Sequence, residues 1–74
     1  MKISIVLGGY LKDKYSFSSI ELNYSKAVTI HKILEEAKIS SADVFFIVED
    51  SIEKEDYFIR KSCKIKIFPI TGGG

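Results

Sequence analysis

"KIKIFPI", residues 64–70, is the stretch on which the fold turns. Ile65 and Ile67 fall on one side of an extended chain and Lys64 and Lys66 on the other, the period of two of a strand with one buried face. Pro69 has no N–H to give to a ladder and closes the strand. Working back, residues 49–63 are charged and irregular, which predicts a loop with a short turn of helix, carrying Ile52, Tyr57, Phe58 and Ile59 as plugs into the core. Residues 44–48, "VFFIV", form an unbroken apolar run between Asp43 and Glu49, as an interior strand does.

Between Ser25 and Ser40 the period changes. Ala27, Ile30, Ile33, Leu34 and Ala37 recur at steps of three and four, with Lys26, His31, Lys32, Glu35, Glu36 and Lys38 largely on the other side. This predicts a helix of about three turns, with Ser25 as its N-cap and Ile39 turning back into the core. At the other end of the chain Ile3, Ile5 and Leu7 alternate with Ser4 and Val6 in a first strand broken by Gly8 and Gly9. A second extended stretch carries Tyr15, Phe17, Ile20 and Leu22, and its phase slips near Ser18 and Ser19. The turn-rich residues 8–14 between them predict an antiparallel hairpin.

The order strand, strand, helix, strand, loop, strand predicts an α+β fold: a mixed four-stranded sheet with one main helix packed on one face, the β-grasp arrangement. The helical crossover would set the third strand parallel to its neighbour. The first and last strands would lie side by side at the centre, so that whatever follows Pro69 leaves from the middle of the sheet. A single domain over residues 1–74 is expected, with 70–74 as its tail.

Of the 74 residues, 46% are apolar and 28% charged, a globular rather than disordered composition. The net charge of +1 provides no general attraction to nucleic acid or an anionic membrane. Apolar runs too short to span a bilayer, and no signal-peptide pattern at the N-terminus, predict a cytoplasmic protein. Cys63 is the sole cysteine and is expected to be a structural thiol. His31 has no second histidine or cysteine near it in sequence and is expected to be solvated rather than a metal ligand. The acidic residues Glu49, Asp50, Glu53, Glu55 and Asp56 lack the spacing of an EF-hand, and Gly8-Gly9 lacks the lysine-serine pair of a phosphate-binding loop. No nucleophile-base pair is recognisable, so the chain reads as a substrate and carrier and not as an enzyme.

"TIHKILEEAKIS" and "KIKIFPITGGG" resemble the helix and the closing strand with its tail in the ubiquitin-like sulfur carriers of the MoaD/ThiS family. Gly73 and Gly74 match the diglycine of that family, Gly72 its small residue, and Phe68-Pro69 its aromatic-proline pair, in a form closer to the molybdopterin synthase small subunit than to the thiamine carrier. Glu49-Asp50 stands where the family often has Asn-Gly, and Ser62-Cys63 where it often has Gly-Asp.

The resemblance implies a ubiquitin-like sulfur carrier that binds no cofactor itself. An adenylating enzyme of the ubiquitin-activating type would use ATP to activate the carboxylate of Gly74. A sulfur donor would then convert it to a thiocarboxylate for molybdopterin or thiamine biosynthesis. The acceptor would be a synthase large subunit or a thiazole synthase-like enzyme, with neither nucleic acid nor membrane as a partner. Gly74 is thus the reacting residue, and Gly72 and Gly73 thread the tail into a narrow pocket, since glycine brings no Cβ to clash there. The five residues after Pro69 reach at most ~17 Å when extended. Docking is assigned to Phe68, Pro69 and Ile70 with the basic residues Arg60, Lys61, Lys64 and Lys66, which can equally be the lysine-rich guard of an exposed edge. The same tail suits a protein modifier joined to lysines through Gly74, and a non-covalent interaction module needs none of this chemistry.

Overall fold

The computed structural model describes residues 1–70. The chain runs β1 (Lys2–Leu7), α1 (Leu11–Tyr15), β2 (Ser19–Asn23), β3 (Val28–Thr29), α2 (Ile30–Ala37), β4 (Val44–Val48), β5 (Ser51–Glu53), β6 (Phe58–Ile59) and β7 (Cys63–Pro69). The main sheet has the order β2-β1-β7-β4-β5, and β3 and β6 make a separate two-stranded ribbon. This is a β-grasp fold with its first and last strands at the centre.

Four strands of the main sheet are those expected from the sequence; the fifth is a correction. Residues 51–53 turn back on β4 because Glu49 and Asp50 both take positive φ, 51° and 67°, as a two-residue hairpin of the primed type requires. The direction of the third strand is also corrected. β1 and β7 form the parallel pair, while β4 lies antiparallel to β7. The chain leaves α2 for the far side of the sheet and β7 then fills the central slot, so the crossover connects strands that do not touch.

The helix is shorter than its apolar periodicity suggests. Val28 is buried as part of the ribbon, Ala27 is exposed, and the N-cap is Thr29 and not Ser25: its Oγ1 accepts the Lys32 N–H at 3.1 Å. The first two N–H groups of α2 have partners outside it, Ile30 donating to the Tyr57 carbonyl at 3.1 Å and His31 to that of Glu55 at 2.8 Å. Lys38 ends the helix at φ 59°, and the Ile39 N–H donates to the Leu34 carbonyl, returning the Ile39 side chain to the core. Residues 11–15, expected as turn and strand, form α1, whose Leu11 is buried. The Tyr15 hydroxyl accepts the Ser40 N–H at 2.9 Å, tying α1 to the exit of α2.

The core lies between α2 and one face of the sheet. Ile3, Ile5 and Leu7 of β1, Ile65 and Ile67 of β7, and Phe46 and Val48 of β4 meet Ile30, Ile33 and Leu34 there. Of the four plugs expected from residues 49–63, only Ile59 is buried; Ile52 is 73% exposed, and Tyr57 and Phe58 also face solvent. Cys63 is half-buried, and its burial pushes the thiol pKa up, aided by Glu49 and opposed by Lys61.

Candidate functional site

β7 sorts its side chains as a strand must: Cys63, Ile65 and Ile67 towards the helix, Lys64, Lys66 and Phe68 towards the open face. The register identifies their neighbours. Lys66 lies between Val6 of β1 and Ile47 of β4, Lys64 beside Ser4, and Phe68 beside Phe45. Ile47 is in turn opposite the exposed Ile52 of β5. The open face is therefore an apolar surface of Val6, Phe45, Ile47, Ile52 and Phe68 carrying two exposed ammonium groups. A shallow cleft of about 180 Å³ runs beside the lysines, between Ile47 and the acidic turn Glu49-Asp50.

Phe68 is half-buried: its ring stacks on that of Phe45 at 5.7 Å between centroids and 25° between planes. Pro69 is half-buried too, and Ile70 is 55% exposed, although its N–H donates to the Asp43 carbonyl at 2.8 Å. Phe68 shares the open face with Lys64 and Lys66, Pro69 ends the same strand, and Ile70 follows it. Arg60 and Lys61 do not join them, because they precede β7, whose length of seven residues at about 3.3 Å per residue spans ~20 Å. They sit with Tyr57 and Phe58 around a different cleft, where the Arg60 guanidinium lies 5.2 Å from the Phe58 ring. Gly72, Gly73 and Gly74 lie outside the described residues.

Several residues of this surface are not visible in the sequence as site residues. Val6, Phe45 and Ile47 read there as ordinary strand positions, and Gly8, Gly9 and Asp43 as turn residues. The period of two puts Val6 and Lys66 on the faces opposite the buried isoleucines, but only the β1–β7 register makes them neighbours.

His31 projects from the exposed side of α2. Its Nδ1 is 2.7 Å from a Glu55 carboxylate oxygen and its Nε2 3.6 Å from one of Glu35, and the Glu55 hydrogen bond raises its pKa above the ordinary 6.5. Tyr24 donates to Glu36 at 2.6 Å, and burial with that bond pushes its pKa up to about 12. Among the described residues no group of histidine, cysteine and carboxylate side chains has the proximity to hold a metal ion, and no helix is long and apolar enough to cross a membrane.

No protein-family model matches this sequence, and no curated protein matches it either. Solved structures do. A protein of Pyrococcus furiosus assigned as molybdopterin converting factor, subunit 1, superposes with a TM-score of 0.78 at 14% identity, over 96% of this chain and 99% of that one. SAMP1 from Haloferax volcanii gives 0.77 at 10% identity with both chains fully covered. The small archaeal modifier protein 1 of Methanosarcina acetivorans gives 0.67 at 13%, over 99% and 96%. At these identities the likeness is one of fold, and the neighbours are of the kind that the resemblance in the helix and closing strand implies.

Proposed function

We propose that this chain is a ubiquitin-like sulfur carrier whose reacting group is the carboxylate of Gly74, whether that residue is the encoded end or is exposed by cleavage. The observation that carries the reading is the placement of β7. It is the central strand, and its last residues, Phe68 and Pro69, lead from the middle of the sheet into the sequence Ile-Thr-Gly-Gly-Gly. The neighbours, small carrier or modifier proteins, support it at the level of fold.

The chemistry follows from the poor reactivity of a carboxylate. Its oxygen attacks the α-phosphorus of ATP on the activating enzyme, pyrophosphate leaves, and an acyl adenylate results. A persulfide on the sulfur donor displaces AMP to give an acyl disulfide, and a second thiol cleaves its S–S bond and leaves the thiocarboxylate. The open face with Lys64 and Lys66 is the docking surface in this reading, used first by the activating enzyme and then by the acceptor, which for a molybdopterin-type carrier is a synthase large subunit. A second reading, a modifier joined to protein lysines through the same adenylate, is supported by the modifier protein among the neighbours.

Intact mass spectrometry separates them. Incubated with the host's activating enzyme, ATP and a sulfur donor, the full chain should gain the mass difference between one sulfur and one oxygen, and a form lacking Gly74 should gain nothing. Higher-mass conjugates in host lysate that vanish with Gly74, without that gain, would favour the modifier.

A further inference from the structure

The root of the tail is held from both flanks, by Gly8 and Gly9 on one side and by Asp43 on the other. Gly8 lies one step beyond the Leu7–Ile67 pair, and its N–H donates to the Ile67 carbonyl at 2.8 Å. The Phe68 ring leans over it so closely that a Cβ on Gly8 would stand 2.3 Å from Cε1 and 2.4 Å from Cδ1. Swinging the ring away from Gly8 would disturb its stack on Phe45. Gly9 takes φ +56°, and a Cβ there would stand 2.9 Å from Cγ of Pro69. On the other flank Asp43, itself at φ 58°, accepts the Ile70 N–H.

We infer that Gly8 and Gly9 are positioning residues: they form a seat that, with Phe45 and the Asp43 carbonyl, fixes residues 68–70 so that the segment beyond departs from one point in one direction. The functional half of this inference rests on the reading of Gly74 as the reacting group. From Ile70 four residues remain, a reach of ~14 Å. Freeing residues 68–70 as well would lengthen the tether from four to seven residues. That lowers the local concentration of the terminus in a partner's pocket about twofold by tether length alone, before any loss of direction.

Two measurements test the seat and its role separately. In native-state amide exchange, Gly8→Ala should speed exchange of the Ile70 N–H about tenfold or more while central amides such as Ile65 keep their protection. Unchanged Ile70 protection in a folded Gly8→Ala would overturn the seat. If that variant fails to fold, Phe45→Ala, which removes the ring's support without a clash, should release Ile70, and its failure to do so overturns the seat equally. In adenylation by the host's activating enzyme, Gly8→Ala should lower kcat at least about twofold, and by a larger factor than it raises KM. Unchanged kcat despite a released Ile70 would overturn the positioning role. A wild-type chain that is not adenylated at all would sink the reading of Gly74 and leave the exchange result standing.

Discussion

His31 is a side chain whose own charge changes near the physiological pH range. Glu55 faces it from the loop before β6 and Glu35 from its own helix, both within 4 Å, so the imidazolium is favoured in the folded chain. A group with a raised folded-state pKa adds stability that is fully present below its unfolded value and is lost as the pH rises through the folded one. The contribution of His31 is therefore complete below about pH 6.5, provided the two carboxylates stay ionised, declines as the pH rises from there to the raised folded-state value, and is gone above it. His31→Asn should lower the thermal midpoint at pH 6 by more than at pH about 8.5. A constant gap across this range, measured by circular dichroism, would show that the pair contributes nothing. Nothing in the sequence marks the partnership, because Glu55 is 24 residues away and reaches His31 only when the loop lies against the start of α2.

Among the elements, the β4–β5 hairpin is the one whose sequence argues most against its conformation. Left-handed backbone costs a residue with a Cβ roughly 1–2 kcal/mol, and Glu49 and Asp50 both adopt it. Asp50→Gly should raise stability, by up to about 1 kcal/mol once the added freedom of the unfolded chain is subtracted, as a higher denaturation midpoint at unchanged slope. The same mismatch explains why β5 escapes a sequence reading: a hairpin is recognised by Asn-Gly or Asp-Gly, and neither is present. Ile52, Tyr57 and Phe58 misled for a related reason, since an apolar residue signals burial only where the path of the backbone is known. The strands β1, β4 and β7 and the apolar stripe from Ile30 to Leu34 were legible because one buried face imposes its period on the sequence. The outward lysines of β7 could be read from that same period, whereas the closeness of Gly8 and Gly9 to Phe68 and Pro69 depends on the pairing of β1 with β7.

For the whole molecule, charge and apolar surface coincide on the open face, while the other sheet face is committed to the core. If the proposed function holds, replacing Lys64 and Lys66 together by glutamate should weaken association with the activating enzyme, raising KM with a dependence on salt, and leave folding stability within about 0.5 kcal/mol. KM unchanged in the double variant would move the docking surface elsewhere, with the Tyr57, Phe58, Arg60 and Lys61 cluster the next to examine. The parallel pairing of β1 with β7 has a consequence in time. Ile3 pairs with Cys63, and Leu7 with Ile67, so the middle of the sheet cannot form until both ends of the chain have met. Such long-range pairing slows folding, because loop-closure entropy is spent before the contacts form. A nascent or partly unfolded chain can hold its helix and its β1–β2 hairpin and still lack the central strand. In the proposed reading, such a chain would lack the docking face that β7 completes, and an activating enzyme that requires that face would pass over unfinished chains.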